Sequence, residues 1–490
     1  MRYLAFYLPQ FHPTPENDVW WGRGFTEWRN VAQARPLFTG HDQPRIPADL
    51  GFYDLRLPEV RAAQAALARA HGIDGFVYYH YWFAGRRLLD RPFAEVLESG
   101  TPSLPFALCW ANEPWTRTWS GRGSSYLMAQ TYSAEDDIAH AQWMSTAFAD
   151  ERYIRVGERP LLLVYNMAAL PDPRGTVERW ATVCERAGGA RPYVVKCDTF
   201  LDDRDPALFG ADAACEFPPH GASRLAYSHH HDAPIAHDRI SYDALALASV
   251  ERAPVPWTRY PTVAPGWDNT PRRGDGGALV LEGPTPSSYQ RWLVGASRRI
   301  ASEVDDPIVF INAWNEWAEG ATLEPDLGNG HQYLAATLEA RRIVAPGFEP
   351  PAPLDTRTSP SPTDLAELCA TYEELLRQTE AESSSKFEAG QEALRGAVHE
   401  REDEVATLRA ETRRLRAWGD ALDQALRDER HSERVVALTA ESARLRRRVE
   451  LLSQWSPWWR MQRAVEGSPK LLALTRRTSA AARRLLGRLR

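Results

Sequence analysis

Two glutamates three residues apart, Glu316 and Glu319, stand in the run Ile308-Val-Phe-Ile-Asn-Ala-Trp-Asn-Glu-Trp-Ala-Glu-Gly320, directly after an apolar β-branched segment. At i, i+3 they share one face of a short turn, and two carboxylates side by side supply the acid and the base that glycosidic-bond chemistry uses. Trp314 and Trp317 flank them and offer flat apolar surfaces to sugar rings. A duller account of any such pair is two solvated side chains on a loop. The buried run in front argues against it, because the C-terminal ends of strands are where parallel α/β folds carry their chemistry.

Short apolar runs recur from Arg2 to about Ile343, separated by helix-like segments, the alternation of βα units around a parallel sheet. The candidate strands are Leu4 to Leu8, Gly75 to Trp82, Phe106 to Ala111, Leu161 to Tyr165, Tyr193 to Cys197, Ala213 to Phe217, Pro261 to Trp267 and Ile308 to Ala313. Eight strands close a (β/α)₈ barrel, so the fold expected for residues 1–345 is an α/β TIM barrel. Pro58 to His71 and Ala134 to Phe148 read as helices by composition.

Strand after strand ends in polar and aromatic groups. The candidate substrate-binding residues are therefore Tyr7, Gln10 and His12 after the first strand, Tyr79, His80 and Trp82 on the second, and Trp110, Asn112 and Glu113 after the third. Asp198, Trp267 and Asn315 complete the set at later strand ends. Tyr and Trp are often simply core, and a lone His is more often buried than catalytic; the shared position at one rim favours the site.

A net charge of −7 over 490 residues gives no reason to expect a nucleic-acid partner, and 18 Trp, most of them before residue 320, suit a cleft lined with aromatics. The five Cys are scattered without a C-x-x-C pair and read as reduced core residues. Met1-Arg-Tyr-Leu-Ala-Phe-Tyr-Leu-Pro-Gln10 runs into a strand with no small-residue cleavage site, so a cytoplasmic location is expected. Residues 346–363 are a Pro-rich linker, since Pro removes donors and fixes φ. Residues 364–452 carry Leu394, Val398, Val405, Leu408, Leu415, Leu422 and Leu426 in 4-3 spacing, a coiled coil able to form a homo-oligomer, although Arg401, Thr412 and Gly419 interrupt the seam. Residues 453–490, with Trp455-Ser-Pro-Trp-Trp-Arg460 and many Arg, form a basic amphipathic tail suited to an anionic membrane surface at the inner face, or to a solvated segment. Asp203-Arg-Asp205 matches a metal-nucleotide Asp-x-Asp, and Ser228-His-His-His-Asp232 looks like a metal cluster but reads better as a polar loop.

The segments Ala5-Phe-Tyr-Leu-Pro-Gln-Phe-His12, Trp20-Trp-Gly22, Gly24-Phe-Thr-Glu-Trp28, Gly75-Phe-Val-Tyr-Tyr-His-Tyr-Trp82, Cys109-Trp-Ala-Asn-Glu-Pro-Trp115 and Ala313-Trp-Asn-Glu-Trp-Ala-Glu-Gly320 together resemble the WbsX-type polysaccharide-biosynthesis proteins. Their domain is similar to family 99 glycoside hydrolases, the endo-α-mannosidases. The resemblance covers about residues 2 to 343 and implies a (β/α)₈ barrel with Glu316 as base and Glu319 as acid. It also implies retention of configuration through a 1,2-anhydro sugar, no metal and no cofactor. The implied setting is assembly of bacterial surface polysaccharide, O-antigen or capsule, on an oligosaccharide or lipid-linked glycan. Three readings stay open: a retaining hydrolase or transglycosidase, a nucleotide-sugar-dependent glycosyltransferase, and a non-catalytic glycan-binding scaffold.

Overall fold

A computed structural model of the chain describes residues 1–116, 126–221, 238–274 and 277–351, with isolated positions between 410 and 444. The chain divides into two units, Met1–Ser359 and Pro360–Arg490, and the barrel belongs to the first. Its strands are β1 Arg2–Tyr7, β2 Gly75–Phe83, β3 Phe106–Trp110, β4 Arg159–Val164, β5 Tyr193–Asp198, β6 Ala213–Glu216, β7 in two halves Arg259–Tyr260 and Thr262–Val263, and β8 Ile308–Ile311. All overlap runs expected from their β-branched and aromatic residues except the first half of β7, Arg259–Tyr260, which precedes the expected run Pro261 to Trp267.

β1 sits between β2 and β8, and the ladder continues from β2 through β3, β4, β5 and β6 to the first half of β7, parallel throughout. The second half of β7 pairs with β8, also in parallel. Pro261 separates the halves because it has no N–H to give a ladder. Its carbonyl still accepts the Phe310 N–H at 2.9 Å. The split strand thus brings both ends of the path together, and the nine segments form a nearly closed TIM-like barrel.

The helices are α1 Pro15–Trp21, α2 Trp28–Gln33, α3 Pro58–Ala70, α4 Arg91–Ser99, α5 Ala134–Phe148, α6 Pro173–Arg186, α7 Tyr242–Val250, α8 Thr270–Arg273, α9 Pro286–Ala301 and α10 Gln332–Val344. Their starts follow local chemistry. Ser133 accepts the Asp136 N–H ahead of an acidic first turn in α5, and Thr285 and Ser288 form a capping box on α9.

One expected crossover helix is missing. Between β5 and β6 runs only a 3₁₀ turn, Pro206–Phe209, and the outer wall there is covered by buried charge instead. Lys196 Nζ meets Asp198 Oδ1 at 2.7 Å, Arg299 meets Glu216 at 2.7 Å, and Arg252 meets Asp203 at 2.9 Å. Inside the barrel the Phe6 ring stacks on Tyr79 at 5.6 Å and meets Phe217 edge-on at 5.3 Å, so β1, β2 and the end of β6 touch across the interior. Cys109, Cys184, Cys197 and Cys215 are free buried thiols, while Cys369 lies outside the described residues.

Most of the expected linker, coiled coil and basic tail also falls outside the described residues, as does Ser228–Asp232. Within 364–452, Ala410, Arg413, Arg414, Ala417, Ala440, Glu441, Ala443 and Arg444 are helical and exposed. Among the described residues no helix is long and apolar enough to cross a membrane.

At the barrel's N-terminal face Arg341 of α10 pairs with Asp74 at 3.2 Å and its guanidinium covers the Tyr3 ring at 4.9 Å. A chain ending at residue 351 keeps all of these contacts. It is expected to melt cooperatively within a few degrees of the first transition of the full chain; a broad, shifted transition by calorimetry would show that later residues complete the core.

Candidate active site

β8 ends at Ile311, and the chain then crosses the top of the barrel. The Trp314 N–H donates to Phe6 O at 2.8 Å, while Asn315 accepts the Leu8 N–H at 2.7 Å and returns a bond to Leu8 O at 3.0 Å. The next residues wind into a 3₁₀ turn, Trp317–Glu319, ended by Gly320 at φ 62°. A Cβ at Gly320 would meet the Asp268 backbone nitrogen at 2.9 Å, so glycine is required by the close approach as well as by φ. Asp268 in turn donates its N–H to Glu319 O at 2.6 Å and is gripped by His41 Nε2 and Gln43 Nε2, both at 2.7 Å.

Beneath the turn lies a buried carboxylate, Glu324. It accepts from Trp317 Nε1 at 2.6 Å, Gln64 Nε2 at 2.6 Å and Tyr53 OH at 2.8 Å. Burial pushes this carboxyl up to about 7, and its neutral donors only partly oppose that.

Glu316 and Glu319 converge on one guanidinium. Arg272 of α8 places Nη2 at 2.9 Å from Glu316 Oε2, Nη1 at 2.5 Å from Glu319 Oε1 and Nε at 3.2 Å from Glu27 Oε2. Burial, with the negative charges of Glu319 and Glu27 added, pushes the Glu316 carboxyl up to about 8 even though Arg272 pulls the other way. For Arg272 itself burial disfavours the charge, but three carboxylates together outweigh it and hold the guanidinium firmly protonated. A single cation does not neutralise three acids, and the surplus negative charge, added to burial, favours the protonated form of Glu316.

The pair opens into a cleft of about 970 Å³ at the C-terminal ends of the strands, lined among others by Gln10, Tyr79, Tyr81, Glu113, Tyr165 and Trp267. Burial alone pushes Glu113 up to about 7. Phe200 and Leu201 stand exposed on the rim with φ of 52° and 64°, a conformation side chains rarely adopt outside functional loops.

The sequence profile of the glycosyltransferase WbsX family matches residues 3–337. This chain belongs to that family. It is 46% identical over 342 residues to the uncharacterized protein WxcX from two strains of Xanthomonas campestris pv. campestris. That match takes in 69% of this chain and 49% of the relative, so the chain spans about half the length of the curated relatives it matches. Solved structures similar to it include a glycoside hydrolase-like protein (TM-score 0.45, 15% identity, 69% of this chain and 93% of that one). Another is the GH99 endo-alpha-mannosidase from Bacteroides thetaiotaomicron (TM-score 0.45, 14% identity, 70% of this chain and 97% of that one).

In this WbsX-family barrel the structure brings Gln10, Tyr79, Glu113, Trp267, Glu316 and Glu319 to one cleft and puts the other expected residues elsewhere. Alternation along a strand decides most of it. Tyr79 and Tyr81 face in, so His80 and Trp82 face out, where His80 Nε2 meets His140 Nε2 at 3.0 Å and Trp82 Nε1 donates to Asp136 at 2.9 Å. Trp110 is likewise outward, edge-on to Trp180 of α6 at 5.7 Å. Asp198 belongs to the outer ion network, and Asn112 fastens the Asn166 backbone with two bonds of 2.8 Å. His12 is buried near Asp54, its imidazole pushed down to about 4 by burial. Tyr7 donates to Gln64 at 2.7 Å, so Tyr7 and Asn315 support the turn from below and leave the cleft to others.

Asp203 and Asp205 are also occupied, the first by Arg252 and the second in capping the 3₁₀ turn through the Ala207 N–H at 2.8 Å. Among the described residues no group of three or more His, Cys, Asp or Glu is arranged to hold a metal. Sequence reasoning missed Tyr81, which shares the parity of Tyr79; it missed Glu27, although Glu27 stands in the Gly24-Phe-Thr-Glu-Trp28 segment, and Arg272, for which no local pattern exists.

Two outcomes follow from this placement. Trp110→Ala is expected to lower stability by about 3–5 kcal/mol in denaturant titrations, as for a large core side chain, whereas a Trp110 that lined a subsite would leave the midpoint in place. The second concerns pH. Unfolded, Glu316 ionises near 4.5; folded, it holds its proton to about 8, so its favourable contribution is complete below pH 4.5 and is lost as pH rises through 8. Glu316→Gln should therefore raise the melting temperature relative to the native chain more at pH 8.5 than at pH 5, and a pH-independent difference would refute the assignment.

Proposed function

We propose that this domain is a retaining carbohydrate-active enzyme of bacterial surface-polysaccharide assembly, with Glu316 and Glu319 as its reacting carboxylates. The observation that carries the reading is their meeting on one turn in an aromatic-lined cleft at the C-terminal end of the barrel. At about 970 Å³ the cleft has room for more than one sugar ring, and its aromatic lining, which includes Tyr79, Tyr81, Tyr165 and Trp267, suits the apolar C–H surfaces of pyranoses.

In the proposed reaction one carboxylate takes the proton of the sugar's 2-hydroxyl as O2 closes on C1, and the other gives its proton to the departing oxygen. An acceptor hydroxyl, from water or a second sugar, then opens the 1,2-anhydro ring with the two roles reversed. Two displacements at C1 return the original configuration. Burial and the neighbouring acids favour a proton on Glu316, so the assignment of Glu316 as base and Glu319 as acid requires that proton to move when a sugar enters. A 2-hydroxyl approaching Glu316 and a glycosidic oxygen approaching Glu319 favour that exchange, since the proton follows the group that needs it.

A second reading, transfer from a nucleotide-sugar, is favoured by Arg273. It lines the cleft beside Arg272 and, among the described residues, has no carboxylate partner, which leaves it able to meet a diphosphate.

Glu316→Gln and Glu319→Gln are each expected to lower turnover by at least about 10²–10⁴-fold without unfolding the domain. Mass spectrometry of products from oligosaccharides and from nucleotide-sugars, offered separately, distinguishes the two readings. NMR of the first-formed anomer tests retention; an inverted product, or full activity in either variant, would refute the mechanism.

A further inference from the structure

Glu27 is a third acid at this site and it does not reach the cleft. It is 0% exposed, its Oε2 receives Arg272 Nε at 3.2 Å and a long bond from Asn30 at 3.5 Å, and its Oε1 has no hydrogen-bond partner among the described residues. A wholly buried carboxylate held this loosely is poor value as a stabilising ion pair, because desolvation offsets most of the attraction. A guanidinium bound for stability would also grip one acid with two parallel bonds. Arg272 instead gives each of its three corners to a different acid.

We infer that Glu27 and Arg272 are the positioning pair of the reaction: Arg272 holds Glu316 and Glu319 at fixed places around one cation, and Glu27 offsets part of its charge so that one proton remains on them. The inference rests on the proposed roles of Glu316 and Glu319. With all three acids ionised the group would carry a net charge of two below neutrality, in a place where the four side chains are between 0% and 19% exposed. Shedding one proton's worth of charge is the cheaper arrangement. Removing Glu27 would leave Arg272 wholly to the reacting pair and favour loss of that proton. Removing Arg272 would do the reverse.

The other groups that face the cluster do not duplicate this. Tyr79 and Tyr81 of β2 are held in the neutral phenol form, first by burial and then by these same acids. Asp268, on the residues leading into α8, is committed to His41, Gln43 and Thr270. Glu113 and Arg273 line the cleft and remain constant between the variants below. Glu27 reaches this place because it precedes α2, which packs on both α8 and the Trp317–Glu319 turn.

The test uses the full chain labelled with carbon-13 at the glutamate carboxyl, with no ligand, and follows the carboxyl signal that disappears in Glu316→Gln as pH is raised from 4 to 10. In Glu27→Gln, which keeps the shape and loses the charge, the midpoint is expected to fall by about one pH unit; in Arg272→Gln it should rise by a similar amount. Arg272→Lys, which keeps the cation, should bring it back part of the way. Opposite shifts support the inference. A midpoint that stays put or moves the same way in both variants overturns it and makes the trio a structural staple. If Arg272→Gln does not fold, Glu27→Gln decides alone: a lower midpoint supports, an unmoved one refutes. Because the readout needs no turnover, activity retained by Glu316→Gln and Glu319→Gln would refute the proposed reaction separately.

Discussion

Arg272 carries one positive charge, and three acids, two of them buried and one partly so, share it. Much of the upper half of the barrel can be understood as the framework this sharing requires. The guanidinium, Glu27 and the Glu316–Glu319 turn come from three distant parts of the chain, and each acid must be delivered to within hydrogen-bond reach of a rigid planar fork. A displacement of an ångström in any of the three supporting elements would leave a buried charge without its partner, which costs far more than a lost surface contact. The site is therefore only as accurate as the loops that carry it.

Those loops are fixed by polar bonds more than by apolar packing. Asn315 ties the turn to the end of β1, and Glu324 collects Trp317, Gln64 and Tyr53 underneath it. Asp268, gripped by His41 and Gln43, binds Glu319 O from the side and precedes the helix that bears Arg272. Such networks have a directional preference that van der Waals contact lacks, and directionality is what holds two carboxylates at fixed places on one cation. The buried Glu324, whose carboxyl is raised by its own burial, is held by three donors from separate elements and so fixes the turn relative to them.

Membership of the WbsX family spans the barrel, and the curated relatives extend to about twice the length matched. The barrel's own features then carry the functional reading. An aromatic cleft of this size with paired carboxylates suits sugar chemistry whether the acceptor is water or another sugar, because both acceptors are hydroxyls that need the same base. What separates hydrolysis from transfer is the leaving group and the acceptor's binding surface. At the rim of this cleft stand Arg273, Glu113 and the exposed Phe200 and Leu201.

The sequence alone determined most of the strands, because each is a short run of β-branched and aromatic residues whose preference is local, and it placed Glu316 and Glu319 side by side, because i, i+3 spacing on a turn is local as well. It also contained a signal that strand-end reasoning passed over: alternation separates Tyr79 and Tyr81 from His80 and Trp82, and one parity had to leave the cleft. Only the tertiary structure decided that Trp110 packs against α6, that buried ions replace a helix outside β5 and β6, and that Glu27 and Arg272 meet across 245 positions of chain. No local preference encodes a contact of that kind. It exists because the barrel closes and brings three loop ends to one rim, and the balance of charge there follows from which side chains closure happens to confine together.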